Sequence, residues 1–274
     1  MIRDRVLRGE VAEAARVLAR LGLVTAFGHV SARAGDSMLI TPAADLAGVT
    51  AASVIEVPLA VRALPAGAPA EAWAHLALYR ARPDAAAIAR AQPAAAFAVA
   101  AVTTAMVPVH GQAAWLGESV PVYDDAALLR SADRAERAAS CLPAGEALLL
   151  RGNGALTLGA TPGLAVARMW LLAAACDVYL AALAASEASP VTTLSDGEIA
   201  SWRAVGGELL PRLWEHLRSG PGWAGPGSAR PGPGEEQGQG QPGDHRRPPA
   251  PRVMPLDLRE EREPHGGAPD REQA

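Results

Sequence analysis

Glu71 and His75 stand four residues apart in a segment, 70–81, that reads as a helix, so their side chains share one helical face. A carboxylate and an imidazole so placed are suited to moving protons or to holding a divalent cation. Arg90 and Gln92 are two apart around a β-like run at 86–91, where alternate residues point to the same side. Arg90 brings a permanent cation with five donors, and Gln92 and Asn153 bring neutral amides. Such a set favours an oxyanion over a metal ion. Gly28, His29, Ser31 and Thr41 fall in two further β-like runs and add an imidazole, two hydroxyls and open backbone for a small carboxylate. All 25 basic residues are arginine. With no lysine amine, carbon–carbon cleavage through a Schiff base is excluded, and another electron sink is required.

These residues need elements to position them. Leu7, Val11, Ala14, Leu18 and Leu21 recur at three- and four-residue steps, which predicts an amphipathic helix closed by Gly22. Short β-like runs follow at 28–33, 37–41, 54–59, 86–91, 119–122, 147–151 and 155–159, separated by Gly, Pro and Asp. Helices are expected at 70–81, 94–101, 124–140 and 161–186, the last opened by Thr161 and Pro162. A final helix starts at Ser195 with Glu198 completing a capping box, and Pro211 is expected to kink it before Trp214. The interleaving is irregular rather than a repeated βαβ pattern. It predicts an α/β three-layer sandwich, with a mixed or largely antiparallel central sheet flanked by helices.

The chain of 274 residues is 50% hydrophobic with a formal charge of −4, enough for one sizeable core or two small ones. Nothing basic clusters as a nucleic-acid surface would require, and the N-terminal residues lack the apolar run of a signal peptide. Residues 164–185 are mostly apolar, but Arg168 and Asp177 within them favour a buried helix over a membrane span. Cys141 and Cys176 show neither disulfide nor metal spacing, which fits a reducing, cytoplasmic setting. Composition changes after Gly220: of the 54 residues from Pro221, 11 are Pro and 10 are Gly. The expected organisation is a folded domain over 1–219 and a disordered tail at 220–274, in which Val253–Leu258 is the only candidate docking arm.

Four blocks, in order and spacing, resemble the class II aldolase/adducin family over roughly residues 5 to 217. Gly28-His29-Val30-Ser31-Ala32-Arg33 and Leu39-Ile40-Thr41-Pro42 are similar to its Gly-Asn-x-Ser-x-Arg and Ile-Thr-Pro elements. Pro69-Ala70-Glu71 through His75 to Pro83 resembles the segment that carries its acidic catalytic residue. Leu148 to Gly154 resembles its strand ending in Asn-His-Gly. The resemblance implies a central sheet between helical layers, subunits in a four-fold ring, and a divalent metal, usually zinc, held by three histidines and a glutamate to stabilise an enediolate. At the three histidine positions this chain has Arg90, Gln92 and Asn153, leaving Glu71 as the one good ligand. No metal ligand set is therefore assigned, and zinc is disfavoured. The family's phosphate-binding hydroxyls are also missing, since those places read Thr41-Pro42-Ala43-Ala44 and Pro69-Ala70. A phosphorylated sugar is thus disfavoured as substrate.

Three readings stand at this point. The first is a metal-free lyase-like enzyme acting on a small oxo- or hydroxy-acid, with Glu71 moving the proton and Arg90 holding an oxyanion, and with Gly28, His29, Ser31, Thr41, Gln92 and Asn153 around the substrate. The second is a non-catalytic, adducin-like oligomeric scaffold. The third is a metal enzyme with a rearranged site drawing on His75 or His29. Plain structural roles compete with all three: Arg90 and Glu71 as a buried salt bridge, Asn153-Gly154 as a hairpin turn, and Glu71 favoured by a helix start.

Overall fold

The computed structural model describes residues 2–186 and 190–220. The tail at 221–274, with its candidate docking arm, lies outside them. Helix α1 (Ile2–Arg20) leads into strands β1 (His29–Ala34), β2 (Ser37–Ile40) and β3 (Ile55–Pro58). Helix α2 (Ala72–Ala81), strand β4 (Ala87–Ala91), helix α3 (Ala94–Val102), strand β5 (Ala105–Met106) and strand β6 (Val120–Tyr123) follow. Helix α4 (Ala132–Ser140), the β7 (Ala147–Leu150) and β8 (Gly154–Gly159) hairpin, and the long helices α5 (Pro162–Ala185) and α6 (Asp196–Ser219) complete the domain.

The sheet runs β3-β2-β1-β4-β8-β7-β6-β5. All neighbours are antiparallel except β6 and β7. Alternation along β4 shows how the layers arise. Ala87, Ala89 and Ala91 face a core built with α1, α3, α5 and α6, whereas Ile88 faces a second core built with α2 and α4. The expected three-layer sandwich with a largely antiparallel sheet is therefore present.

All seven expected strands form, and β5, only two residues long, is additional. The largest departure is at 124–140, where the helix begins only at Ala132. The Asp125 carboxylate accepts the Ala127 N–H, and the Leu129 N–H turns towards Glu71, so this stretch stays a loop. The capping box of α6 forms between Ser195 and Glu198, and the helix continues through Pro211 to Ser219 without a break. Helix α5 is long and apolar enough to cross a membrane, yet half of it is buried within the protein, where it packs on β4, β8 and α3. Its Arg168 pairs with Glu146 at 3.4 Å. Cys176 is buried in α5, Cys141 follows α4, and both are free.

Candidate active site

A cavity of about 730 Å³ opens at the end of the sheet where β1 and β4 meet the β7–β8 turn. Its lining includes Gly28, His29, Glu71, Arg90, Gln92 and Asn153, which converge from four separate segments. His29 and Arg90 are directly opposed in the β1–β4 ladder, so both side chains leave the sheet on the α2 side. Glu71 is the N-cap residue of α2, but its side chain makes no capping hydrogen bond; the carboxylate is turned to Arg90 and Asn153 instead.

At the centre is a closed triad. Arg90 Nη2 lies 3.1 Å from Glu71 Oε2, and the same nitrogen donates to Asn153 Oδ1 and, at 3.2 Å, to the Asn153 backbone carbonyl. Asn153 Nδ2 donates to Glu71 Oε1 at 2.9 Å. Only this amide orientation satisfies both neighbours, because a guanidinium needs an acceptor and a carboxylate needs a donor. Arg90 is 2% exposed, and burial lowers its pKa from the ordinary arginine value while Glu71 raises it. Its other terminal nitrogen, Nη1, is buried with no hydrogen-bond partner. His29 Nδ1 is in the same condition.

Behind this wall lies a second polar chain. His75 Nδ1 and Ser31 Oγ share a hydrogen bond of 2.7 Å, and Ser31 Oγ and Tyr79 Oη share another of 2.8 Å. The His29 and His75 rings meet edge-to-face with centroids 5.8 Å apart. Burial, then the Arg90 charge, depresses His75 to a pKa of about 3. Burial, His75 and Arg90 together hold His29 well below the usual imidazole value. Both rings are therefore neutral at physiological pH.

Ser31 and Thr41 do not line the cavity. Both are fully buried, and the Thr41 hydroxyl accepts the Val30 N–H at 3.2 Å, so they brace β1. Trp73, on α2, packs against the α2–α4 core. Asn153-Gly154 is not a two-residue hairpin turn: the loop is Arg151 to Asn153, with the left-handed backbone at Gly152 (φ 68°) and Gly154 (φ 86°). Residues that spacing did not reveal also face the cavity, namely Phe27, Leu128 and Arg130.

The donor set does not suit the metal that the family pattern implies. Glu71 is committed to Arg90 and Asn153, and a guanidinium occupies one of the expected ligand positions. Among the described residues no group of three or more His, Cys, Asp and Glu side chains is placed to hold a metal ion. Glu71, His75 and His29 do not form such a group either, and both rings lie against the Arg90 charge.

The sequence profile of the class II aldolase and adducin N-terminal domain matches residues 9–180, and the chain belongs to that family. The L-fuculose-1-phosphate aldolase of Thermus thermophilus is similar at 26% identity and a TM-score of 0.61, over 69% of this chain and 100% of that one. An aldolase II superfamily protein from Pseudomonas syringae aligns at 22% identity and a TM-score of 0.66, over 79% of this chain and 92% of its own. The L-fuculose 1-phosphate aldolase of Glaciozyma antarctica aligns at 20% identity and a TM-score of 0.62, over 79% and 90%. No curated protein matches the chain.

Proposed function

We propose that this protein is a metal-independent, lyase-like member of the class II aldolase and adducin family that acts on a small oxo- or hydroxy-acid. The observation that carries this reading is Arg90, which lines the cavity: Nη2 is fixed by Glu71 and Asn153, while Nη1 is buried without a partner. An unpaired buried guanidinium nitrogen costs roughly 1–3 kcal/mol or more, which an incoming carboxylate would relieve. In this arrangement the substrate carboxylate meets Arg90 and its carbonyl oxygen faces the neutral His29 imidazole and Gln92. For retro-aldol cleavage, Glu71 accepts the proton of the substrate hydroxyl as the carbon–carbon bond breaks. The bond's electron pair passes into the carbonyl, and Glu71 returns the proton to carbon as the enolate collapses. Decarboxylation uses the same oxyanion contacts. The setting is cytoplasmic, and the subunits assemble into the homotetramer that the family resemblance implies.

Alanines in the Ala43, Ala44 and Ala70 positions line the cavity, and the Ala43 and Ala44 amides already donate to Gly67 and Pro42 carbonyls. This supports an acid over a sugar phosphate. The test is a screen of small oxo- and hydroxy-acids by NMR with the native chain and with Glu71→Gln and Arg90→Lys. Turnover lost in both variants, with acid binding weakened mainly by Arg90→Lys, supports the reading; turnover indifferent to both substitutions overturns it.

One observation favours a second reading. Glu71 and Asn153 are bonded to each other and to Arg90 Nη2, as in a structural plug. A non-catalytic, adducin-like scaffold predicts that no acid is turned over and that the three residues can be replaced without changing the assembly.

A further inference from the structure

Arg130 lies at the rim of the same cavity, on the loop between β6 and α4 that sequence periodicity assigns to a helix. This loop is anchored at Leu129. Leu129 is buried in the α2–α4 core, and its N–H points to Glu71 Oε1 at 3.4 Å, the carboxylate whose other oxygen meets Arg90. Arg130 is thus one residue, about 3.8 Å of backbone, from a group in contact with the triad. Its own N–H closes a tight turn onto the Leu128 carbonyl at 2.9 Å, which fixes where the side chain departs.

The charges around it are already matched. Asp124 pairs with Arg151, and Asp125 pairs with Arg134 at 3.3 Å. Within the cavity lining, Glu71 is taken by Arg90, and Asp45 Oδ1 accepts the Ala47 N–H at 3.0 Å. Among the described residues no carboxylate lies in ion-pair contact with Arg130. The cavity therefore has one arginine in its wall and a second, exposed and unpaired, at its mouth.

Resting on the acid-binding reading above, we propose that the substrate carries two acidic groups: a dicarboxylate that sets one carboxylate against Arg90 and the other against Arg130. Arg130 then selects diacids over monoacids and raises their rate of capture, because an exposed cation at a cavity mouth steers anions. A carboxylate fits the second position better than a phosphate, since Ala43, Ala44 and Ala70 offer no hydroxyls and the Ala43 and Ala44 amides are occupied.

The experiment is isothermal calorimetry at low salt with matched pairs of 2-oxo acids of four to six carbons, each as the monoacid and the diacid, against the native chain and Arg130→Gln. The native chain is expected to bind the diacid of a pair about tenfold tighter, a ratio that falls towards one in the variant. A phosphonate analogue of the same length should gain less than the diacid. Binding of monoacids and diacids with equal affinity, or a preference that survives Arg130→Gln, overturns the role of Arg130 and leaves the acid site intact. Failure of every acid to bind overturns both readings together.

Discussion

Arg90 and Glu71 meet as a buried ion pair in the wall of the cavity, with Asn153 bonded to both. The Arg90 side chain is 2% exposed and that of Glu71 12%, so the pair is only weakly screened by water. Removing one partner strands the other. Arg90→Met is expected to lower stability by roughly 2–4 kcal/mol, less than a fully enclosed pair would lose because Glu71 retains some access to the cavity. The double variant with Glu71→Gln should recover part of the loss, giving a coupling of about 1 kcal/mol or more in urea unfolding. Strictly additive effects would show that the two residues share a place without sharing energy.

The buried imidazoles make stability depend on acid. His75 has a folded pKa of about 3 against an ordinary 6.5, so below pH 6.5 the unfolded chain takes up a proton that the folded chain refuses. Stability is therefore full above pH 6.5 and falls as the pH drops from there towards 3. At pH 5 the loss from this one group amounts to about 2 kcal/mol relative to pH 8, and His29 acts in the same direction. Urea unfolding at the two pH values should show a smaller loss for His75→Asn than for the native chain. An identical pH dependence in the variant would mean that His75 is protonated in the folded state.

Gly154 makes the triad possible by letting the β7–β8 turn lie against β4. Its φ is 86°, and a Cβ there would fall 2.2 Å from the Ala91 carbonyl oxygen and 2.9 Å from Gln92 Cα. Backbone, unlike a flexible side-chain tip, cannot step aside. Gly154→Ala should cost roughly 2–4 kcal/mol, from the left-handed conformation and the clash together, and should displace Asn153 from Arg90. Circular dichroism melting measures the first effect. A variant that melts with the native chain would contradict the tight approach of the turn.

The sheet was legible from sequence because Gly, Pro and Asp punctuate runs of suitable length, and only β5 at Ala105–Met106 was too short to show a pattern. The stretch 124–131 misled because Ala127, Leu128 and Leu129 have helical character while the decisive contact, Leu129 N–H to Glu71, spans 58 residues. The site divides in the same way. Glu71, Arg90, Gln92 and Asn153 could be found from motif spacing, and all four line the cavity. Arg130 and Phe27 reach it through tertiary packing alone, and no local spacing signals that. Ser31 and Thr41 show the converse limit. A hydroxyl looks the same in sequence whether it faces a ligand or, as here, is consumed by His75, Tyr79 and the Val30 amide.

If the scaffold has kept the geometry of a metal site and lost only its donors, the donors can be put back. Arg90→His, Gln92→His and Asn153→His together would place three imidazoles beside Glu71, on the strand end and turn that now carry the triad. The substitution also removes the cation that holds Glu71, freeing the carboxylate. The triple variant is expected to bind about one zinc per chain and to gain zinc-dependent thermal stability, by roughly 3 kcal/mol when the metal is at a hundred times its dissociation constant. The native chain, whose only carboxylate at these positions is ion-paired, should show no such shift with the same zinc. Elemental analysis and melting curves with and without zinc separate the cases. A native chain stabilised by zinc as strongly as the variant would mean that a ligand set survives elsewhere, and the metal-independent reading would fall.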